Sequence, residues 1–132
     1  MKLTLILAGI YNILWGSSVI LFPAFHFDIM GMELPNYLEF WQCIGMIVGV
    51  YGIGYIIASF NPIQHWPITL VGLIGKILGP IGFVDAINRE RLPIQFGWNI
   101  IFNDIIWWLP FSYILFCAWQ NKKVQNDDLT SR

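Results

Sequence analysis

The sequence predicts an all-α protein that spans a membrane as a four-helix bundle. Three observations support this fold class: four long apolar stretches, a low content of charged residues, and the restriction of most charges to the ends of those stretches. Only 11% of the 132 residues are charged and 57% are hydrophobic, whereas about a quarter of the residues in a soluble domain are charged. A small chain needs many polar residues to cover its surface in water, but a chain solvated by lipid does not.

Each apolar stretch is long enough to cross about 30 Å of hydrocarbon at about 1.5 Å per residue. The first stretch follows a single basic residue and is not followed by a small-residue cleavage site, so we interpret it as a retained span rather than a signal peptide. We expect one transmembrane domain over residues 1–120 and a polar tail over residues 121–132. The expected spans are residues 3–22, 38–60, 66–87 and 98–119.

Basic residues near the span ends predict the orientation of the chain. With four spans, both termini lie at one end of the bundle, together with Lys2, Lys122 and Lys123, whereas Arg89 and Arg91 lie at the other end. Because short cytoplasmic segments are enriched in Lys and Arg, this modest excess favours cytoplasmic termini.

Glycines recur at three- and four-residue spacing in the second and third expected spans, which places them on one face of each helix. Only residues 61–65 separate these spans, so we expect antiparallel neighbours whose glycine faces allow the backbones to approach closely. The glycines are Gly45, Gly49 and Gly52 in the second span and Gly72, Gly75, Gly79 and Gly82 in the third.

A weak internal repeat also relates the two halves of the chain at an offset of 57 residues, as from Leu21 to Leu78. One interpretation is a pair of repeated helical hairpins of the same orientation, and the other is two similar loops at similar interfaces. The sequence leaves both open. The matched residues are Leu21, Pro23, Asp28, Glu33, Trp41 and Ile44, with Leu78, Pro80, Asp85, Glu90, Trp98 and Ile101.

Two charged residues, Lys76 and Asp104, lie well inside apolar stretches. A lone charge at the middle of a membrane helix costs about 2.5–3.5 kcal/mol, so we expect both side chains to have partners. We expect Lys76 to point into the bundle, within hydrogen-bonding or ion-pairing range of Asp104 or, failing that, of Asn103, Gln42 or Glu39. Pro80 should leave one carbonyl near Lys76 without its helical partner. The predicted ligand-binding residues are Lys76, Asp104, Asn103, Gln42, Glu39 and Trp107.

The sequence gives only weak or negative evidence for a metal site, a disulfide, a nucleic-acid partner or a catalytic site. A copper site could use His26, Asp28, Met30 and Met32, but a histidine and two methionines in an apolar loop more often pack there. We therefore expect no metal and no cofactor. Cys43 and Cys117 lie near opposite ends of the bundle, too far apart for a disulfide. The net charge of −1 and the lack of a basic patch argue against nucleic acid as a partner. No catalytic motif identifies an enzyme class.

Two sequence patterns resemble a known family. The N-terminal half, with its apolar span, FPAF turn, proline-containing loop and glycine-rich second span, resembles the DoxX-like small four-helix membrane proteins of bacteria. The C-terminal half, NPIQHWPITLVGLIGKILGPIGF followed by NDIIWWLPF, resembles an uncharacterised branch of these proteins. The resemblance implies quinone-linked or thiol-redox membrane partners for such proteins, but this chain offers no redox cysteine pair. We therefore carry over only the fold. We expect the chain to lie in the bacterial inner membrane.

The sequence supports two functional hypotheses. In the first, an outward-facing polar pocket around Lys76 binds a small amphipathic or lipid-like molecule or relays protons. In the alternative, the polar residues form a structural ion pair in a non-catalytic accessory subunit of a larger membrane or redox complex. The expected partners are membrane lipid and either that small ligand or a membrane protein.

Overall fold

The computed structural model describes residues 1–130, apart from the side chains of residues 125, 126 and 128–130, and all regular elements in this range are helical. Single 3₁₀ turns precede α5 and separate α5 from α6. The helices are α1 (Lys2–Leu21), α2 (Phe25–Met30), α3 (Leu38–Phe60), α4 (Trp66–Asn88), α5 (Gly97–Asn103) and α6 (Trp108–Thr130), and the 3₁₀ turns are Ile94–Phe96 and Ile105–Trp107.

The part of the chain that the structure describes contains four helical segments long and apolar enough to cross a membrane, as the sequence predicts. The first three, α1, α3 and α4, match the expected spans to within a residue or two. The fourth segment, Ile94–Val124, differs because it consists of α5, a 3₁₀ turn and α6 in succession. In addition, α6 continues through Thr130, so most of the expected polar tail is helical.

The prediction that the glycine faces of α3 and α4 pack against each other is wrong. The glycine face of α3 packs against α1 instead, and these two helices make the most extensive contact in the molecule. A Cβ atom built on Gly52 would lie 2.7 Å from the carbonyl oxygen of Gly9, and one on Gly45 would lie 2.8 Å from Val19. In a membrane, apolar side chains gain little by leaving lipid for a helix interface. Small residues favour helix association there because they allow the backbones to approach closely.

The third helix, α4, uses its glycines to admit side chains rather than another glycine face. Gly72 faces the ring of Tyr55 in α3, and a Cβ on Gly79 would lie 2.7 Å from the Asp104 carboxylate. Gly75 and Gly82 border open space. Because α4 also packs against α6, it connects α3 with the fourth span at the level of Lys76. The main apolar cluster joins α1, α3, α4 and α6 and contains Leu5, Ala8, Tyr55, Ala58, Leu73, Phe111 and Ile114.

The two halves differ where an exact repeat would make them alike. Pro23 follows the end of α1, whereas its counterpart Pro80 lies inside α4. The second span is continuous in α3, whereas the fourth is interrupted at Asp104. The repeat therefore stays a prediction. Cys43 and Cys117 are both free thiols.

Candidate functional site

The fourth span is interrupted at Asp104, about a third of the way along the segment Ile94–Val124. Helix α5 ends at Asn103, and Asp104 has a non-helical backbone with φ −122° and ψ −62°. The N–H of Trp107, which in a continuous helix would donate to the carbonyl of Asn103, donates to the carbonyl of Asp104 at 3.1 Å. Irregular backbone at membrane depth is tolerated only where protein covers it or where it lines a cavity.

Three backbone carbonyls near this break lack or lose their ordinary helical partners, and a side chain donates to each. Pro80 has no N–H for the carbonyl of Lys76, four residues earlier, and the indole N–H of Trp108 donates to that oxygen at 2.9 Å. The carbonyl of Phe102 accepts from the indole of Trp107 at 3.1 Å. The carbonyl of Asn103 accepts from the Lys76 ammonium at 2.5 Å.

Lys76 points into the bundle, which confirms the expectation from its sequence position. Its side chain is only 5% exposed, and Nζ lies 6.0 Å from the ring centre of Tyr55 and 5.9 Å from that of Trp107. Both rings are close enough for a cation–π interaction. The ammonium also lies at the C-terminus of α5, where helix carbonyls favour a positive charge.

The direct partner of Lys76 is the backbone of Asn103 rather than the carboxylate of Asp104. An ion pair with an N–O distance of 2.9 Å joins the exposed side chains of Arg89 and Asp85 at the C-terminal end of α4, whereas Lys76 and Asp104 form no ion pair within 4.0 Å. Asp104 is nevertheless buried, at 8% exposure, and its carboxylate fits against Gly79. Its oxygens accept no hydrogen bond from the described part of the chain. Lys76 and Asp104 therefore share one site without pairing directly.

A pocket of about 180 Å³ lies beside this pair, in the centre of the bundle. Residues of α1, α3, α4 and the break contribute to its walls, and Lys76, Asn103 and Asp104 all line it. Asn12 of α1 lines the same pocket, and its side chain is 3% exposed. Neither its oxygen Oδ1 nor that of Asn103 has a hydrogen-bond partner. Because buried polar atoms normally have partners, these two amide oxygens indicate a place for a donor.

The exposed residues of the pocket wall lie at the middle of the helices. Ile47 is 57% exposed, and Gly75 is also exposed. At about 1.5 Å per residue, each lies about 14 Å from the start of its helix, α3 or α4, in helices about 34 Å long. The mouth of the pocket thus lies between α3 and α4 at mid-span, not at the outer end that the sequence led us to expect.

Three of the six predicted ligand-binding residues do not line the pocket. Glu39 is exposed in the first turn of α3. Gln42 faces α1, where its amide donates to the carbonyl of Ile20 at 2.9 Å. Trp107 lies near the Lys76 ammonium but donates its indole hydrogen to Phe102 and packs on Tyr11 and Phe111.

Four residues of the site and its surroundings were not among the predicted ligand-binding residues: Asn12, Tyr51, Tyr55 and Trp108. Asn12 gave the same signal as Lys76, a polar residue inside an apolar span, but it carries no charge. Trp108 lies deep in the fourth apolar stretch beside Trp107, whereas the tyrosines had no signal of their own, because aromatic residues are common throughout this chain.

The second candidate, His26 in α2, occupies an aromatic cluster at one end of the bundle. Its Nε2 lies 3.0 Å from the hydroxyl of Ser18, and its ring packs against Trp15 and Trp41. Burial lowers the pKa of His26 below its ordinary value of 6.5. Among the described residues, no group of three or more His, Cys, Asp or Glu side chains could hold a metal ion. The observed contacts of His26 are those of a packed residue.

Comparisons with protein-family models, with curated proteins and with solved structures found no match to this chain. The resemblance to DoxX-like proteins therefore stays a prediction. What can be argued about function comes from the site itself, which offers an ammonium, a carboxylate and two unpaired amide oxygens around a small space.

Proposed function

We propose that the chain is an integral membrane protein of the bacterial inner membrane, with both termini in the cytoplasm. Four long apolar segments and their exposed apolar surfaces support membrane insertion, since Leu109 is 85% and Phe60 76% exposed. Such surfaces suit lipid and would favour aggregation in water. The bacterial membrane follows from the family resemblance, and the orientation follows from Lys2, Lys122 and Lys123.

We propose that its function is to bind a small amphipathic or lipid-like molecule in the pocket beside Lys76 and Asp104. The observation that carries this proposal is the buried amide oxygen of Asn12, which lines the pocket and has no partner. A buried polar group without a partner costs about 1–3 kcal/mol, and a bound donor would remove that cost.

The contacts of Lys76 and Asp104 favour a binding site over a structural ion pair. A pair that served only to fix the helix register would gain most from direct contact between ammonium and carboxylate. Here Lys76 donates to a backbone carbonyl, and the Asp104 carboxylate accepts nothing from the described chain although both line the pocket. Both residues therefore keep hydrogen-bonding atoms without a protein partner beside an open space, as in a ligand-binding site.

The experiment uses glycine substitutions that fill or spare the pocket. A Cβ on Gly75 would meet no atom within 4 Å, so Gly75→Leu should fill the pocket without disturbing the helices. Gly82→Leu is the matched control, because Gly82 is two turns further along α4, also borders open space and does not line the pocket. The wild-type protein and both variants are purified in mild detergent, and the small molecules that accompany them are measured by mass spectrometry.

We expect a small molecule to accompany the wild-type protein and Gly82→Leu in near-equal amounts and to be lost from Gly75→Leu. Equal recovery from all three proteins would contradict binding in this pocket. If a protein partner were then recovered equally with all three, the accessory-subunit hypothesis would replace the binding proposal.

A further inference from the structure

The two fully buried side-chain atoms of the pocket lining that have no hydrogen-bond partner are both acceptors. They are the amide oxygens of Asn12 and Asn103. The Asp104 carboxylate also lines the pocket and accepts no hydrogen bond from the described chain. The donors of the pocket wall include the two remaining N–H bonds of Lys76 and the amide N–H groups of Asn12 and Asn103, and none of these is a fully buried atom without a partner. An occupant that completes this site therefore has to bring hydrogen-bond donors.

The two ionisable residues of the pocket make a net charged occupant unfavourable. One lysine and one aspartate sum to zero formal charge, whether both are ionised or a proton has passed between them. An anionic headgroup would face the Asp104 carboxylate and two amide oxygens, and a cationic one would face the Lys76 ammonium. A neutral headgroup meets neither repulsion.

The mouth of the pocket also selects against charge. It lies between Ile47 and Gly75, at the middle of two membrane-spanning helices. A molecule that enters there from lipid has to leave the headgroup layer, which is costly for an ion because charge transfer into a low-dielectric medium is strongly unfavourable. The volume of about 180 Å³ slightly exceeds that of an apolar cavity of about 150 Å³ that accepts benzene. It suits a headgroup of several heavy atoms, with the apolar chain left outside.

We infer that the pocket binds a neutral lipid alcohol, whose hydroxyl groups donate to Asn12, Asn103 and Asp104 while its apolar chain leaves between α3 and α4. This inference rests on the proposed function and specifies the chemical class of the ligand.

The test compares three probes with the same apolar chain. 1-Monooleoylglycerol carries two hydroxyl donors, methyl oleate carries none, and oleate carries a negative charge. The full-length protein in mild detergent is offered an equimolar mixture, and native mass spectrometry measures the ratio of the three complexes. Gly75→Leu, with its filled pocket, reports the binding that occurs on the outer surface, and Gly82→Leu is its control.

We expect 1-monooleoylglycerol to exceed each of the other probes by about tenfold, because a site that hydrogen-bonds a hydroxyl strongly rejects an analogue without it. Gly75→Leu should abolish this preference and Gly82→Leu should retain it. In Asn12→Leu, which removes an unpaired buried acceptor, we expect the preference over methyl oleate to fall several-fold.

Pocket-dependent binding of methyl oleate or oleate at the level of 1-monooleoylglycerol would overturn the inference about the headgroup and leave the proposed function standing. Binding of every probe without any effect of Gly75→Leu would overturn both. If Asn12→Leu fails to fold, the ratio of the three probes on the wild-type protein decides the question alone.

Discussion

At the scale of single residues, Lys76 combines two roles that are usually separate. Its ammonium completes the hydrogen bonding of a broken helix by donating to the carbonyl of Asn103, and the same group forms part of a pocket wall. Unpaired backbone groups in hydrocarbon are costly, so the break in the fourth span depends on this side chain. The Lys76 ammonium, whose burial in the membrane is costly, thus stabilises the helix break that forms part of the site.

A substitution at Lys76 should reveal this dependence. Lys76→Met fills similar space but leaves the Asn103 carbonyl without its donor and Asp104 without a nearby positive charge. We expect a loss of about 1–3 kcal/mol in the free energy of unfolding, measured by denaturant titration in mixed micelles. Lys122→Met is the control, because Lys122 is exposed and packs over the ring of Trp66. An equal effect of both changes would argue against the role of Lys76 at the break.

His26 gives a prediction about pH. Burial lowers its pKa in the folded protein below the ordinary value of 6.5, so the unfolded chain binds a proton more readily. The stability contributed by neutral His26 is complete above about pH 6.5 and is lost as the pH falls from there through the folded-state pKa. We expect the melting temperature of the wild-type protein to fall between pH 7.5 and pH 5.

The matched variants are His26→Gln, which keeps a neutral polar side chain near Ser18, and His65→Gln in the turn between α3 and α4. The fall in melting temperature at low pH should shrink in His26→Gln and persist in His65→Gln. A fall that persists in full in His26→Gln would assign the pH dependence to other groups.

At the scale of elements, hydrogen bonds connect α4 with the fourth span. They are donated to backbone carbonyls that have no donor within their own helix. Pro80 deprives the Lys76 carbonyl of its partner, and Trp108 from α6 supplies the replacement. In return, the Lys76 side chain supplies a donor to the carbonyl at the end of α5. The two helices therefore exchange hydrogen bonds in both directions at one level of the bundle.

This exchange predicts coupling between Pro80 and Trp108. Trp108→Phe keeps most of the ring but removes the indole donor, and we expect a cost of about 1 kcal/mol in the free energy of unfolding. Pro80→Ala restores a backbone N–H that can reach the Lys76 carbonyl within α4. In the Pro80→Ala background, Trp108→Phe should therefore cost clearly less. Additive effects in this double-mutant cycle would show that the indole does not replace the missing helical bond.

What the sequence predicts, and what it does not, follows from the same elements. Lys76 and Asp104 could be predicted because a charged residue inside an apolar stretch is recognised from the sequence alone. The break at Asp104 was not predicted. Pro110, in the first turn of α6, is compatible with a helix start there, but the stability of the break depends on the Lys76 side chain of α4. Glu39 does not line the pocket because it lies in the first turn of α3, whereas the pocket is at mid-span. Gln42 does not line it because the rotation of α3, set by its glycine face against α1, turns Gln42 toward α1.

At the scale of the whole molecule, the bundle consists of a tight α1–α3 pair and a looser arrangement of α4 with the fourth span. The pocket lies where these two parts meet, with Asn12 contributed by one side and Lys76, Asn103 and Asp104 by the other. A site shared between two packed units can open or close with a small movement of one against the other. The mouth of the pocket lies between α3 and α4, and the short turn of residues 61–65 connects these two helices at one end.

The proposed orientation of this bundle can be tested with reporter fusions. We expect both termini in the cytoplasm, so a fluorescent protein fused at the C-terminus should fluoresce, and a periplasmic phosphatase fused there should be inactive. A phosphatase inserted after Arg91 should be active. The reverse pattern would contradict the orientation but not the fold, because the excess of basic residues at the terminal end is small.

The central claim is that the pocket beside Lys76 holds a small amphipathic molecule in the membrane. It is tested most directly by electron cryomicroscopy of the protein in nanodiscs formed from its native membrane. An antibody fragment is bound as a fiducial marker, and no ligand is added. We expect non-protein density whose head lies between Asn12, Lys76 and Asp104 and whose chain leaves past Ile47. A pocket that is empty or closed by side chains, in a map that resolves lipid on the outer surface, would contradict the claim.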